Sequence, residues 1–537
     1  MPRKAGFLVV FTSVILFGAG LFAQDAPAPK EFVWAADPRQ YSLDPLHAYT
    51  SFESQFYSAI YEGLLVNNPA TLEPTPAVAS SWEVSKDSRT YTFHIRPDAR
   101  WSDGTPVKAQ DFVNAWFRML DPAAKAEYSV LFDPIKGAKA YRTGLEKNQK
   151  NVGIRAVNDK TLEVVLEKPA AYFLKLLCHI SYLPIYPGYV KAKDWGSAKS
   201  VIGNGPFIVT TRSDTEIDLE KNKLYWDAQN TALDGIKVLL IDDPAKATDE
   251  FLAGKIDWSS IFPTNKATGS NDIVAYPMFA TSYFYFVCDK APWNDARVRR
   301  ALALLVPWDQ IRNTENFLFP DSRLVPAIPQ YPDVKGIDAP NPEEAKMLLS
   351  QAGYPDGKGL PPVLFKVGGQ GAADLAQKMV DAWKTEIGLQ SSVQVIETGD
   401  VLAQLRAADF TIGFSTWIGD YADPLTFLQL WTSDSNLNDA RYSDPAYDAA
   451  VNDSMSIQDT VARYKKLAEA EQILLSGAAV LPVEHSAAVH LIDLEHVDGW
   501  YPNPLDIHPF KFIGFKERKA PAGVAMLSPG AEKVSLK

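Results

Sequence analysis

The sequence predicts a mixed α/β protein built from two or three domains. Its 537 residues are more than one hydrophobic core usually organises. Residues 363–397 show a strand pattern, a helix pattern and a second strand pattern in succession, which is the rhythm of a βαβ unit. An apolar content of 46% and a charged content of 22% are ordinary for a soluble globular protein.

The first 23 residues have the pattern of a cleavable export signal. Arg3 and Lys4 provide a positive start, residues 7–17 an apolar centre, and small residues lead up to Ala23, after which we expect cleavage. The apolar run is short for a membrane-spanning helix, and no cysteine near the cleavage point offers a lipid anchor. With residues 24–30 as a flexible leader, the mature chain is expected to be exported and soluble.

The first half of the chain then combines strands and helices. Alternating and apolar runs predict strands at residues 32–36, 89–95, 161–166, 203–209, 216–222 and 235–241. Apolar residues at helical spacing predict helices at residues 52–65, 109–120, 172–180 and around 248–252. The strands at 203–209 and 216–222 are expected to pair with each other.

The second half continues in the same way and ends in a polar tail. We predict strands at residues 282–288, 363–367, 393–397, 410–414 and 479–483. Helices are predicted at residues 294–302, 342–352, 372–387 and 461–475. The tail at 514–537 contains Pro, Ala, Lys and Ser and is expected to be disordered.

Residues 416–427 are the stretch around which the rest is organised. Asp420 lies between Trp417 and Tyr421 where the preceding strand breaks into a loop, and Asp423-Pro424 favours a turn. An acid between aromatic side chains is suited to hold a cationic ligand group. An Asp that caps the next helix would give the same pattern, and these residues alone favour the capping interpretation.

No catalytic motif stands out. Seven histidines are scattered, and the three within residues 485–496 lack the HExxH spacing of a zinc protease. No GxSxG surrounds a serine, and the glycine-rich residues 368–371 lack the Lys-Ser/Thr of a phosphate-binding loop. Asp420 and Asp423 are the residue types of a glycosidase pair, but two acids three residues apart in a turn are far more often caps.

The net charge and the cysteine content argue against further classes of protein. A net charge of −12 argues against a nucleic-acid-binding protein. Cys178 and Cys288 lie in apolar runs, without a CxxC pair, and are expected to be buried thiols. We therefore expect no enzyme activity, no cofactor and no metal site.

Eight short motifs, in order and at matching spacing, resemble those of one protein family. They are SLDP at 42–45, YEGL at 61–64, PAVASSW at 76–82, WSDGTPV at 101–107, NGPF at 204–207, NDARVR at 294–299, EAKMLL at 344–349 and WIGDYADPLTF at 417–427. Across residues 30–513 the chain looks like the extracellular solute-binding proteins of the oligopeptide and dipeptide ABC-transporter family.

This resemblance implies a class II periplasmic binding protein fold, in which two hinged α/β lobes close on a ligand like a Venus flytrap. A third domain is inserted in the first lobe. By similarity, residues 24–62, 187–275 and 487–513 form lobe I, residues 63–186 the inserted domain and residues 276–486 lobe II.

The resemblance also implies a set of ligand-binding residues. Asp420 falls where the family pairs an acid with the ligand's α-ammonium. Main-chain groups at Thr416, Ile418 and Ser51 fall where the peptide backbone is bound as an added strand. The remaining cleft positions, by similarity, are Tyr49, Tyr128, His179 and Trp417. In the family, an arginine binds the carboxylate of a short peptide. Phe414 occupies that position in this sequence, and nearby Arg406 is the alternative.

This sequence also differs from the enteric members of the family at a disulfide and at an acidic residue. Those members have a cysteine at the position of Ile418, bridged to a second cysteine near Thr281, and this sequence lacks both. They also have an acidic residue at the position that Tyr49 occupies here. The resemblance nevertheless implies a monomeric periplasmic protein that binds short peptides and delivers them to permease subunits of an ABC importer in the inner membrane. Two alternatives are the same fold with a non-peptide ligand (a nickel complex, haem, an opine or a sugar) and an exported hydrolase.

Overall fold

The computed structural model describes residues 30–37, 41–313, 319–396 and 401–516. Its strands are β1 (Glu31–Ala36), β2 (Leu65–Asn67), β3 (Pro74–Pro76), β4 (Ala79–Val84), β5 (Thr90–Ile95), β6 (Ile154–Asn158), β7 (Thr161–Val165), β8 (Phe207–Arg212), β9 (Glu216–Lys221), β10 (Gly235–Leu240), β11 (Trp258–Ser259), β12 (Ile273–Phe286), β13 (Val363–Val367), β14 (Ser391–Val395), β15 (Ile412–Ile418), β16 (Val480–Ile492), β17 (Val497–Asp498) and β18 (Gly514–Phe515).

The α-helices are α1 (Ser51–Ile60), α2 (Ala109–Leu120), α3 (Ala138–Arg142), α4 (Phe173–Leu176), α5 (Pro244–Leu252), α6 (Ala296–Ala303), α7 (Trp308–Arg312), α8 (Pro342–Gln351), α9 (Gln370–Ile387), α10 (Val401–Arg406), α11 (Leu425–Leu428), α12 (Pro445–Ser454) and α13 (Thr460–Ser476). Within the described ranges, no helix has both the length and the hydrophobicity that crossing a bilayer requires. The predicted export signal lies outside these ranges.

Two long strands connect the two lobes. Among the described residues a ten-stranded sheet has the order β14-β13-β15-β12-β16-β11-β1-β10-β9-β8. β12 and β16 pair with each other; β12 also pairs with β15 on the lobe II side, and β16 with β11 on the lobe I side. The α/β fold is the one that the sequence resemblance implies.

The register between these two strands shifts between Pro277 and Thr281, where a proline offers no N–H to the ladder. Tyr276 pairs with Ala488 and Pro277 with Ala487. The expected boundaries of lobe II, residues 276 and 486, therefore lie at nearly the same level, beside this break. The domain boundaries themselves stay a prediction.

The inserted segment forms its own sheet and shares a core with lobe II. Its strands have the order β4-β5-β7-β6, all antiparallel. One continuous apolar cluster includes Phe93 and Trp116 of this segment together with Phe284 and Trp383 of lobe II. A separate cluster around Trp34 fills lobe I. The inserted segment and lobe II therefore pack against each other extensively.

Two predicted helices are shorter than expected. The helix expected at residues 52–65 ends at Ile60, because the Asn204 side chain accepts from Glu62 N and donates to Glu62 O at 3.0 and 2.8 Å, holding the next segment extended. The helix expected at residues 172–180 is only Phe173–Leu176. His179 interrupts it, since this residue is extended and its ring caps a new 3-10 turn, Ile180–Tyr182.

Several strands are longer than the apolar runs that predicted them. β12 starts nine residues before the predicted 282–288, β16 continues to Ile492, and β15 extends from Ile412 to Ile418. Their additional residues include Ser, Thr, His and Pro, and pairing with neighbouring strands, not hydrophobicity, keeps them extended. Gly514–Phe515 also pairs with β17, so the ordered chain reaches past 513; residues 517–537 lie outside the described ranges.

Glu471 is a buried acid that fixes a lobe II loop. Its side chain is completely buried and accepts from Leu324 N, Val325 N and the Tyr331 hydroxyl at 2.9, 3.0 and 2.7 Å. Burial raises the pKa of Glu471 from 4.5 to about 7. Because the folded state holds this proton more tightly than the unfolded state does, this group lowers the free energy of unfolding as pH rises from 4.5 to 7.

We predict that Glu471→Gln removes this pH dependence. Gln keeps an oxygen for the two main-chain N–H groups and an N–H for the Tyr331 hydroxyl, and it carries no charge. Relative to wild type, the variant should gain about 3 kcal/mol in unfolding free energy between pH 5 and pH 8, measured by urea unfolding. Glu469→Gln, an exposed acid on the same helix, is the control and should show no such gain; an equal gain in both would contradict the prediction.

Candidate functional site

One edge of β15 is open along its C-terminal half. The strand pairs with β12 from Ile412 to Ile418 but with β13 only at Ile412 and Gly413. Gly419 N donates to Phe279 O, and Val287 N donates to Thr411 O. Since hydrogen-bonded pairs alternate in an antiparallel ladder, the main-chain groups of Thr416 and Ile418 face away from β12, toward the edge where no described strand pairs.

Asp420 lies two residues after this strand, and its side chain is buried. A Cβ on the preceding Gly419 would lie 2.5 Å from the Phe279 ring, so only glycine fits there. The Asp420 side chain is 6% exposed, and its Oδ1 lies 3.5 Å from His179 Nε2. Its Oδ2 is buried and has no hydrogen-bond partner among the described residues. A buried carboxylate oxygen without a donor is unfavourable unless a ligand supplies one.

His179 presents a donor to Asp420 from the inserted segment. Its Nδ1 accepts from Ser181 N at 3.2 Å, so the neutral ring carries its proton on Nε2, the atom that faces Asp420. The His179 side chain is as buried as its partner, at 8% exposure. His179 therefore approaches Oδ1 of Asp420, and the Tyr128 side chain also interacts with this carboxylate.

Three aromatic rings line the space beside this acid. Tyr49 stacks on Tyr128 at 5.5 Å and meets Trp417 edge-on at 6.1 Å, and Tyr128 meets His179 at 4.6 Å. Burial and then the charge of Asp420 raise the pKa of Tyr128 well above its usual value. The predicted residues from lobe I, the inserted domain and lobe II thus come together where the three meet.

The N-terminus of α1 brings Ser51 close to this cluster. Thr50 caps the helix, since its Oγ1 accepts from Glu53 N at 3.2 Å while Glu53 Oε2 accepts from Tyr49 N and Thr50 N at 2.9 and 3.1 Å. First-turn N–H groups have no acceptor within their own helix. The main chain of Ser51, two residues after Tyr49, is therefore suited to bind an external carbonyl.

Phe414 is not part of the aromatic cluster. Side chains alternate along a strand, so Phe414 lies on the opposite face of β15 from Trp417. Its ring contacts Phe284 at 4.9 Å in the interior of lobe II. The carboxylate end of the site, for which this position is used in the resembling family, has to be sought elsewhere.

Arg406 reaches the cluster instead. Its guanidinium carbon lies 4.6 Å from the centre of the Tyr49 ring, and its Nη1 donates to Glu127 Oε1 at 2.7 Å. Asp439 is also close, and burial raises the pKa of Asp439 to about 6, against the opposing effect of Arg406 and Arg441. No motif in the sequence marks Glu127 or Asp439 as neighbours of the site.

The second acid of the central stretch has a structural role. Asp423 Oδ1 accepts from Leu425 N at 3.0 Å, and both oxygens accept from Arg463 at 2.6 and 2.8 Å. Asp423 therefore holds the turn before α11 through Leu425 N and Arg463, and Asp420 has neither of these partners. An acid held in a buried ion pair is also unsuited to act as one half of a hydrolytic pair.

A cluster with metal-ligand residue types lies at the hinge, away from this site. His490 Nε2 and His508 Nε2 lie 2.9 and 3.1 Å from Asp506 Oδ1. Trp258 Nε1, which can only donate, points at His490 Nδ1 from 3.2 Å. That contact puts the proton of the neutral ring on Nε2, where it is donated to Asp506 and leaves no lone pair for a metal. The cluster is a hydrogen-bond network.

Comparisons with known proteins identify the family of this chain. Residues 73–439 match the family model described as bacterial extracellular solute-binding proteins, family 5 middle. The chain is 31% identical over 478 residues to the periplasmic oligopeptide-binding protein OppA of Salmonella typhimurium, covering 84% of this chain and 86% of that one. It is 30% identical over 527 residues to the probable deoxycholate-binding periplasmic protein YgiS of Escherichia coli, covering 92% and 96%.

The fold is shared with a solved structure of the same kind. The Escherichia coli murein tripeptide binding protein MppA superposes with a TM-score of 0.80 at 27% identity, covering 91% of this chain and 99% of that one. The matched model spans more than half of the chain, and the fold likeness extends over nearly all of it. The chain therefore belongs to family 5 of the bacterial extracellular solute-binding proteins.

Proposed function

We propose that this protein is the periplasmic receptor of an ABC importer, which captures short peptides and delivers them unchanged to permease subunits in the inner membrane. The observation that carries the proposal is the buried Oδ2 of Asp420, which has no donor among the described residues. A ligand ammonium offers three N–H donors and the opposite charge. Binding without it would leave a buried carboxylate unpaired, at a cost of about 3–5 kcal/mol.

The surroundings of Asp420 suit an ammonium group. Tyr128 interacts with the acid, and the Tyr128 and Trp417 ring centres lie 6.5 Å apart. Aromatic faces attract cations, most strongly where water is excluded. An anionic ligand such as deoxycholate would instead meet a buried negative charge of the same sign, so this site favours an amine.

The open edge of β15 suits the rest of a peptide. A ligand strand bonded to the main chain of Thr416 and Ile418 would extend the ten-stranded sheet, and Ser51 N–H could donate to it from the other lobe. Main-chain recognition gives affinity that depends little on the ligand's sequence. This arrangement fits a receptor that accepts many peptides.

Its place in the cell is part of the proposal. The signal pattern in residues 1–23 and the extracellular character of the family support export through a cleaved leader. We propose that the mature protein acts as a monomer, without cofactor, and that Asp420 serves binding and not hydrolysis.

The first experiment identifies the ligand directly. Protein purified without unfolding should contain bound peptides with a free N-terminus, and mass spectrometry should detect them. In thermal unfolding scans, a tripeptide pool should raise the midpoint, and the same pool acetylated at the N-terminus should not, because acetylation removes the ammonium charge. Stabilisation by deoxycholate, or equal stabilisation by both pools, would contradict the proposed function.

A further inference from the structure

Asn436 of lobe II binds a turn of the inserted segment, residues 126–129. Its Nδ2 donates to Ala126 O at 3.2 Å and to Ser129 Oγ at 2.6 Å. Both acceptors lie on buried residues. Tyr128, whose ring belongs to the aromatic cluster of the candidate site, lies between them in sequence. Lobe II therefore holds this turn on both sides of a residue of the site.

The side-chain amide of Asn436 is fully used by the inserted segment. An amide nitrogen has two hydrogens, and both find acceptors in the turn, while Oδ1 lies 3.5 Å from Arg142 Nη1. Arg142 is fixed in place, because its Nε and Nη2 each donate to Asp133 at 2.6 Å and its side chain is 3% exposed. Its Nη1 also donates to Asp434 O at 3.2 Å. Asn436 therefore has no N–H left to donate to a ligand.

Asn438, two residues further along the chain, makes its hydrogen bonds within lobe II. Its side chain donates to Thr432 O and Tyr442 O at 3.1 and 2.7 Å, and it accepts from Tyr442 N at 3.0 Å. These bonds fix the shape of the loop that carries both asparagines. The loop thus presents Asn436 without support from the inserted segment.

The inserted segment is joined by the chain only to lobe I in the division that the resemblance implies, whereas β12 and β16 connect lobe I to lobe II. Side chains reinforce its attachment to lobe I. Arg118 donates twice to Asp44, at 2.7 and 2.5 Å, and the Arg96 guanidinium carbon lies 3.7 Å from the centre of the Trp226 ring. A hinge movement that opens the cleft would therefore pull lobe II, with Asn436, away from the inserted segment.

We propose that the contact between Asn436 and the 126–129 turn forms when the lobes close and breaks when they open, so that it stabilises the closed, peptide-bound form. This inference rests on the proposed function and names a positioning residue for it. Tyr128 interacts with Asp420 across the same boundary, so closure places its ring beside the ammonium site. Because Asn436 acts on the turn and not on the ligand, it contributes equally to the affinity for every peptide.

The test uses trialanine and its two analogues with lysine or phenylalanine as the middle residue. In Asn436→Ala, calorimetric titration should show that all three bind more weakly by one common factor of about 5–30, as expected for the loss of two hydrogen bonds. Stopped-flow tryptophan fluorescence should show faster dissociation of the peptides by a similar factor. A side chain that touched the peptide would change the ratio of the three affinities, and such a change would overturn the inference.

Ser129→Ala provides the partner variant. It removes one of the two acceptors and should weaken binding less than Asn436→Ala does. The double variant should match Asn436→Ala within about twofold, because both substitutions break the same contact. Losses that simply add would show that the two residues act separately and would contradict the proposal.

Asn341→Ala is the control, since Asn341 accepts from Glu344 N at 3.1 Å and caps α8 within lobe II. This variant should lower the free energy of unfolding and keep wild-type peptide affinity. If Asn436→Ala behaves in the same way, its contact is permanent and the inference is overturned, while the proposed function stands. A wild-type protein that binds none of the three peptides would contradict the proposed function itself.

Discussion

Asp420→Asn is expected to weaken peptide binding by at least about 100-fold, because the amide keeps the shape of the side chain but cannot neutralise an ammonium. The same change should make the ligand-free protein more stable. In wild type, Oδ2 of a buried carboxylate has no donor among the described residues; Asn removes the charge and still offers an oxygen to His179. We expect the free energy of unfolding without peptide to rise by about 1–3 kcal/mol.

The two effects are measured separately, by calorimetric titration with a tripeptide pool and by urea unfolding without ligand. Asp423→Asn provides the control, since it is the same substitution three residues further on, at an acid paired with Arg463. It should lower stability and leave the affinity of the folded protein close to wild type. Wild-type affinity in Asp420→Asn would show that this acid does not anchor the ligand.

Opposite signs of stability change for two acids in one turn reflect how differently they are surrounded. Asp423 has a bidentate partner and a main-chain donor, while the Asp420 carboxylate has a long contact with His179 and an interaction with the Tyr128 side chain. Sequence alone could not separate the two, because both stand near Pro424 in a segment that reads as a capped helix start. The distinction depends on α13, which brings Arg463 back from 40 residues away.

Elements with strong local signals could be predicted closely. α2 begins and ends where its apolar spacing predicts, and β13 has the predicted limits. In both elements, local residues determine where the element begins and ends. In α2, the Asp111 side chain accepts from Lys108 N, and β13 is a short apolar run. The hinge half of β12 could not be foreseen, because its residues become extended only through pairing with β16.

The candidate site was predictable only where the family resemblance supplied positions. Tyr49, Tyr128, His179 and Trp417 are far apart in sequence, and the resemblance assigned them to one site. Their rings lie together in the structure, and their role in ligand binding stays a prediction. Phe414 was carried over by alignment position, and strand alternation turns it toward Phe284. Glu127 was not predicted because its contacts, with His47 and Arg406, come from residues 80 and 279 positions away in the sequence.

Arg463→Met is expected to lower the free energy of unfolding by about 3–5 kcal/mol, because it leaves the Asp423 carboxylate buried without its partner. The two side chains are 5% and 8% exposed, so water cannot replace the lost donors. The guanidinium also lies 4.9 Å from the Tyr172 ring, which itself stacks on Tyr421. The substitution therefore removes an ion pair and a contact between the inserted domain and lobe II.

A double variant separates the charge from the packing. The double variant Arg463→Met with Asp423→Leu leaves neither charge of this pair in the interior. Replacing a buried ion pair by apolar side chains is often neutral or stabilising. We expect urea unfolding of this variant to recover most of the lost stability. Lys466→Met, which breaks an exposed pair with Glu469 on the same helix, should cost less than about 1 kcal/mol. If Arg463→Met lowered the free energy of unfolding as little as Lys466→Met, the Arg463–Asp423 pair would not stabilise the turn that contains Asp420. Other contacts would then have to hold Asp420 in place.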